Sequence, residues 1–406
     1  MPDIIETIRS YNTGRDPERL QRKYAAMRRD PFTFLRGSCH LFYAQLPSAK
    51  LLSKAPAAWV CGDMHLENFG SYKGDNRLVY FDLNDFDEAA LAPCTWELVR
   101  LLTSVRVGAS SLQLKPAQAN TLCQHFLDAY TATLRHGKAR WIERDTADGM
   151  VGDLLHSLRG RLRPPFLDSR TERKGKKRSL RTDGKKALPV TAKQREKVTA
   201  LIEHIAASEA DPHFYRVLDV ARRIAGTGSL GVDRYVILVE GKGSPDGNYL
   251  LDLKQAVPSS LTPALLKRGI KLAQPDWRNE AERVVTVQQR MQAISPAFLK
   301  AVNMGGMSYV LRGLQPTEDR VALGDWNGKL ERLDGVLQTM GQLIAWAQLR
   351  SSGRQGSATA DELIAYGGKS RWPAKLLELS GECAQQVGRD WRVFAKAFDA
   401  GVFASA

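Results

Sequence analysis

With 406 residues, 43% apolar and 25% charged, the chain is long enough for a well-buried core in two or three domains or lobes, and its balance excludes a disordered or fibrous protein. Its 59 Lys and Arg against 44 Asp and Glu give a net +15. No apolar run approaches the roughly 20 residues of a membrane span, and five scattered cysteines without a C-x-x-C pair indicate neither a disulfide framework nor a zinc site. The N-terminal MPDIIETIRSYNTGR has no apolar core of the secretory type, so a reducing cytoplasm is the expected compartment, without membrane insertion.

In chain order, residues 60–89, VCGDMHLENFGSYKGDNRLVYFDLNDFDEA, set acidic side chains and asparagines among glycines around a β-like run, RLVYF. A helix is predicted around Leu98 to Val107, and TLCQHFLDAYTATL carries helical spacing. From Arg159 to Lys186 the chain holds twelve Lys and Arg against three acids, +9 of the total. That segment is rich in Gly, Pro and Ser, lacks periodicity, and reads as a mobile linker or long loop. Beyond it, YRVLDVARRIAGTGSLGVDRYVILVEGKGSPDGNYLLDLKQA alternates β-branched and aromatic runs with turn residues, Asp246-Gly247-Asn248 among them, which predicts a small antiparallel sheet. EAERVVTVQQRMQAI then reads as a helix, MSYVLRGL as a strand, LDGVLQTMGQLIAWAQLR as a long helix, and the tail from Asp361 as mostly helical.

Gly226-Thr227-Gly228-Ser229-Leu230-Gly231 matches G-x-G-x-x-G. A dinucleotide-binding unit needs a helix after these glycines, whereas VDRYVILVE follows at once and reads as a strand. A glycine turn between antiparallel strands is the protein-kinase type of phosphate cover, and Lys254 lies on the next-but-one strand, where an ammonium neutralises the α and β phosphates of a nucleotide. Such enzymes also need an Asp that takes or positions the acceptor proton, an Asn five residues on for magnesium, and a metal-binding Asp just past a strand. Asp63 and Asn68 have that spacing, and Asp82, Asp85 and Asp87 follow RLVYF. A glycine hairpin with a surface lysine is the plain alternative for either feature alone. His65 reads as a loop-ordering residue, and Arg36 as either a phosphate contact or the brace of an acidic neighbour. Glu282 and Glu280 are equally placed to pair Lys254 from the following helix, with a solvated face as the default for both.

CGDMHLENFG resembles the G-D-x-H-x-x-N loop of aminoglycoside and choline phosphotransferases, and DFDEAALAPCTWELVRLL resembles the segment after their metal-binding Asp. Aligned through that segment Asp85 takes the metal position, with Asp82, at the end of the apolar strand, as competitor. The whole chain resembles the bacterial domain-of-unknown-function family 2252 through DPFTFLRGS, VCGDMHLENFG, FDLNDFDEA, GTGSLG, LLDLKQA, ERVVTVQQRMQA and YVLRGLQP, from near Asp30 to about Pro316. The resemblance implies a two-lobed α+β protein-kinase-like fold, circularly permuted because the catalytic and metal segments precede the nucleotide cover. Residues 1–158 would carry the catalytic and metal-binding part of the helical lobe, 159–210 a basic linker and helix, 211–320 the β-rich nucleotide lobe, and 321–406 the helices that complete the helical lobe.

The expected activity is ATP- and Mg2+-dependent phosphoryl transfer to a hydroxyl-bearing acceptor whose identity, acidic or not, stays open. Gly226–Gly231 and Lys254 would hold phosphates, Asn68 with Asp85 or Asp82 the metal, and Asp63 the acceptor. Two rivals stand beside it: adenylyl transfer with the nucleotide reversed, and a catalytically silent regulator that binds nucleic acid through the basic segment, which lacks aromatic interleaving. If Lys254 and Asp85 serve one nucleotide, they must face each other across a cleft within roughly 10 Å, the reach of a shared phosphate chain. With no nucleotide present, Lys254 is expected to meet a carboxylate directly.

Overall fold

The computed structural model describes residues 3–315 and 319–404; Met1, Pro2 and Pro316, which the sequence reading touched, lie outside them. The protein is mixed α and β. A six-stranded antiparallel sheet runs in the order Lys300–Met304, Met307–Gly313, Tyr249–Gln255, Arg234–Val239, Val217–Arg223 and Ala187–Leu188. Every residue of Arg234–Val239 is buried, because both faces of that strand are covered. Tyr235, Ile237 and Val239 pack with Val198, Ile202 and Ile205 of the helix Ala192–Ala206, whereas Val236 and Leu238 pack on the opposite side with Leu167, Leu180 and Ala187. The two-residue period of a strand thus divides one apolar run between two cores.

Leu167, Leu180 and Ala187 also correct the reading of residues 159–186 as a mobile linker. The segment forms a short helix, Arg163–Asp168, and a hairpin of Thr171–Lys174 with Lys177–Leu180, after which Ala187–Leu188 joins the sheet beside Val217–Arg223. Composition misleads here because long basic side chains project outward while one apolar residue per element supplies the anchor. Arg178 turns inward instead, buried, and pairs with Asp168 and Asp246.

The helical part centres on Thr95–Gly108, whose Trp96, Leu98, Val99, Leu101 and Leu102 are all fully buried, the pattern of a helix surrounded by core. Pro116–His136 begins on a first-turn proline and stops at the left-handed Gly137, and it packs against the long helix Leu330–Arg350. Arg371–Asp399 covers Thr95–Gly108 from another side. Two helices absent from the sequence reading, Ile4–Tyr11 and Pro17–Arg28, are capped by Asp3 and Asp16 and lie against that last helix. Among the described residues no helix is long and apolar enough to cross a membrane.

Residues 57–93 carry the acidic stretch between two paired strands, Ala57–Val60 and Ala90–Pro93. Between them come a loop at 61–68, a hairpin of Phe69–Lys73 with Val79–Leu83, and a turn at 84–89. The loop and the turn face the sheet.

Candidate functional site

The loop at 61–68 depends on Gly62, held at φ +85°, where a Cβ would collide with the carbonyl oxygen of Glu88. Asp63 follows. The fully buried Arg100 donates to its Oδ1 through Nε at 3.0 Å and through Nη2 as well, and Arg100 is anchored in turn on the Leu35 carbonyl at 2.9 Å. His65 accepts from the Glu67 N–H at 3.1 Å, and burial, with Arg36, Arg320 and Arg100 nearby, holds it well below the usual histidine range. It is a neutral, loop-ordering residue, as the sequence suggested. Asn68 bridges loop and turn: its Oδ1 accepts from the Asp85 N–H at 2.8 Å, and its Nδ2 donates to the carbonyls of Asp63 at 3.1 Å and Asp85 at 3.2 Å.

Lys254 arrives from the third strand of the sheet and lies 3.4 Å from Asp85, well inside the expected limit, while also pairing with Asp87. The lysine side chain is 5% accessible and that of Asp85 46%. Burial raises both carboxyls, but Lys254, Arg312 and Arg234 outweigh it at Asp85 and hold it below the usual carboxylate range. At Asp87 burial and the charge of Asp85 prevail over Lys254 and push the carboxyl up. Glu282 and Glu280 do not reach the lysine. They pair with Arg278 and Arg283 respectively.

The glycine loop spans the tips of Val217–Arg223 and Arg234–Val239 and overhangs the same place, since a Cβ on Gly228 would sit 3.6 Å from Asp63 Oδ2. Its carbonyls are gripped by the N-terminal helices. Arg15 donates to Gly228 O at 2.8 Å and Leu230 O at 3.3 Å, Lys23 to Gly228 O at 3.0 Å, Arg19 to Val232 O at 3.0 Å, and the Asp16 N–H to Gly231 O at 2.9 Å. The resulting cavity, of about 60 Å³, is lined by Asp63, Asn68, Asp85, Asp87 and Gly226–Ser229, with Arg15 and Arg320 among its cations. A drug-sized ligand fills roughly 300–1,000 Å³, and this cavity is smaller.

Three sequence-based expectations need correction. Asp82 lies outside the cleft, 2% accessible, facing Arg350 at 3.3 Å; burial pushes its carboxyl up against that pull. Strand alternation explains the exclusion, for Asp82 is still inside Val79–Leu83 whereas Asp85 is on the turn. Leu230 and Gly231 do not line the cavity either. Leu230 is buried, and Gly231, at φ +89°, lets the backbone pass against Arg15 and Asp16. Arg36 braces Glu67 at 2.7 Å, which Arg320 also holds at 3.0 Å, and it lines the cavity as well.

Several residues escaped the sequence reading. Arg100 stood out only as a charge inside the apolar LVRLL, and Asp252 as one inside LLDLK. Arg283 donates to the carbonyls of Asp87, Ala89 and Val257, tying the turn to the chain just beyond Lys254. Glu88 accepts from Ser260 N and Oγ and from Tyr11 at 3.1 Å.

Fold and site together define a mixed α and β protein in which a lysine from an antiparallel sheet meets paired carboxylates under a glycine loop. The chain belongs to the family described as "Uncharacterized protein conserved in bacteria (DUF2252)", which matches residues 15–397. Comparison with curated proteins and with solved structures gave no match.

Proposed function

We propose that the protein is an ATP- and Mg2+-dependent phosphotransferase with a two-lobed, circularly permuted protein-kinase-like fold. The observation that carries this reading is the meeting of Lys254 with Asp85, across 169 positions of sequence, and with Asp87, beneath the glycine loop and beside Asp63 and Asn68. A glycine turn joining Val217–Arg223 to Arg234–Val239, a lysine on the next strand, Tyr249–Gln255, and a helix further on follow the order in which kinases arrange their nucleotide cover, with Ala187–Leu188 added at the sheet edge. The permutation has support at the other end of the chain. The loop after Leu330–Arg350 lies beside the strand that leads into residues 61–68, with the Ala358 N–H donating to Ala57 O at 2.7 Å and Trp59 Nε1 to Arg354 O at 3.0 Å. A helix that enters the catalytic loop from before it in an unpermuted chain would end there.

In the reaction, an acceptor hydroxyl lies against Asp63 Oδ2, the oxygen that Arg100 leaves unengaged. The hydroxyl oxygen bonds to the γ-phosphorus while the bridging bond to the β-phosphate oxygen breaks; the hydroxyl proton passes to Asp63 and ADP leaves. Arg100 fixes the carboxylate so that one oxygen points at the acceptor, a contribution of orientation. Lys254 transfers part of its pairing from Asp85 and Asp87 to the α and β phosphates. Among the described residues no group of three or more His, Cys, Asp or Glu is arranged to hold a metal by itself. Asp85 and Asp87 fit magnesium nonetheless, which takes one or two carboxylates and completes its shell with phosphate and water. When bound it would neutralise phosphate charge. The glycine loop must lift for nucleotide to enter, which requires the N-terminal grip to loosen.

The test is a thermal-shift titration with ATP and magnesium, followed by mass-spectrometric search for phosphorylated products after incubation with a small-molecule extract. Stabilisation by Mg-ATP that is lost in Lys254→Met, with product carrying the γ-phosphate, is expected. No stabilisation in the wild-type protein, or product carrying the α-phosphate as an adenylyl group, overturns the phosphotransferase reading.

A further inference from the structure

On the face of the sheet that carries Lys254, the register sets Arg234 directly beside Lys254, Val236 beside Asp252, and Asp252 beside Arg312. Arg223, from the neighbouring strand, lies 2.8 Å from Asp252. Four cations therefore share one face across four adjacent strands, an arrangement that costs stability through like-charge repulsion. Lys254 has Asp85 and Asp87. The three arginines have Asp252, fully buried, which receives Arg234 through Nε at 2.8 Å and Nη2 at 2.6 Å and Arg312 at 3.4 Å.

One carboxylate cannot satisfy three guanidiniums, each with five N–H donors. Each arginine also donates to a carbonyl, Arg223 to Gln315 O at 2.8 Å, Arg234 to Ala225 O at 3.3 Å and Arg312 to Asn84 O at 3.2 Å, and with Lys254, Asp85 and Asp87 counted the face still holds four positive charges against three negative ones. Arg223 feels it: its Nη1 is buried and lacks hydrogen-bond geometry to any partner, although it is ion-paired with Asp252. Burial, reinforced by Arg234 and Arg312 against the pull of Asp252, drives its guanidinium down to about 9. Buried charge without a counter-charge is expensive, so such a surplus needs a reason.

A cavity of about 250 Å³ opens beside Arg223. Ala225, Val236 and Leu314 give it apolar walls, and the basic segment supplies its rim through Arg181, Lys185 and their neighbours, with Asp183 as the acid there. The +9 segment is thus the outer wall of a hollow whose inner wall holds Arg223, while Arg234 and Arg312 lie behind that wall. The position two residues before the lysine, alanine in the V-A-I-K pattern of protein kinases, is Asp252 here, so the underside of this sheet is ionic where that pattern is apolar.

We propose that this hollow is an oligophosphate-binding site, in which Arg223 receives a phosphate group from the sheet side and Arg181 and Lys185 close over the linked phosphates from the hairpin side. Guanidinium forks match phosphate oxygens in pairs. The phosphates come either from the tail of a nucleotide or from a second, phosphorylated ligand. The site goes beyond the transfer reaction proposed above and does not depend on it.

The experiment uses inorganic tripolyphosphate as probe, titrated calorimetrically into the whole protein at two salt concentrations. Saturable binding that weakens with salt is expected, reduced about tenfold by the double variant Arg181→Ala/Lys185→Ala, whose two exposed positions leave the core intact. Arg223→Lys, which keeps the charge and removes the fork, should reduce it as well. Tripolyphosphate displaced by ATP identifies the nucleotide tail as the source; joint binding of the two identifies a separate phosphorylated ligand. Either result supports the site. Absence of saturable binding, or affinity unchanged in both variants while their urea midpoints match the wild type, overturns it. Tripolyphosphate binding without any response to Mg-ATP would reject the kinase reading and leave this site standing, whereas Mg-ATP binding that needs Lys254 but ignores both variants would do the reverse.

Discussion

Glu97 is fully buried on Thr95–Gly108, directly behind the loop that carries Asp63. Its Oε2 accepts from the Cys61 N–H at 3.1 Å and its Oε1 from Gln348 Nε2 at 2.7 Å. Burial pushes its carboxyl up from 4.5 to about 7 in spite of those two donors. Between these values the folded protein holds a proton that the unfolded chain has released, so folding gains stability as pH falls. The contribution is complete below about pH 4.5, drains away as pH rises toward 7, and is gone above it. At about 1.4 kcal/mol per pH unit, the interval from pH 5 upward amounts to roughly 3 kcal/mol. Glu97→Gln keeps the shape and removes the titration. Urea unfolding of both proteins from pH 5 to pH 8 should show the wild type losing about 3 kcal/mol relative to the variant, with the difference levelling off above pH 7. Parallel pH curves for the two proteins would refute the argument.

Other perturbations separate the roles of the acidic residues. Asp85→Asn should weaken magnesium-dependent nucleotide binding, whereas Asp82→Asn should leave that affinity unchanged and lower the urea midpoint, by about 3 kcal/mol in stability, because Arg350 loses its buried partner. Asp63→Asn should retain nucleotide binding and reduce transfer by roughly 100-fold or more; undiminished turnover removes Asp63 from the mechanism. Arg15→Ala deletes two donors to the glycine loop, so amide exchange of residues 226–231 should accelerate by about tenfold, and unchanged protection would show that the N-terminal grip does not restrain the loop.

Much of this was legible before any coordinates. Strands on either side of GTGSLG, the lysine on the third strand, and the helices around Leu98–Val107 and Glu280–Met291 follow from period and turn chemistry, which act locally. Lys254 with Asp85 was legible only through motif order, since nothing in the chain between them signals a contact. What failed did so for reasons of three-dimensional context. Asp82 and Asp85 differ by a strand and a turn, and only the end of the strand at Leu83 decides which one faces the cleft. The basic segment folds because Leu167 and Leu180 find partners on a sheet that lies later in sequence, and composition averages over such single anchors. Arg15 and Lys23 act through the carbonyls of the glycine loop, and Arg100 through the Leu35 carbonyl and the Asp63 carboxylate, and no spacing rule encodes those.

The helix Leu330–Arg350 gives the fold a timetable. Gln348 reaches Glu97 across 251 positions and Arg350 reaches Asp82 across 268. At about 5–20 residues per second, a ribosome needs roughly 13–50 s to cover the first of these gaps. Throughout that interval the growing chain holds two acids destined for burial with neither of their closing partners made, next to a core helix whose apolar sides await the same segment. The order of synthesis thus leaves Glu97 and Asp82 to be closed over by a segment made after most of the chain.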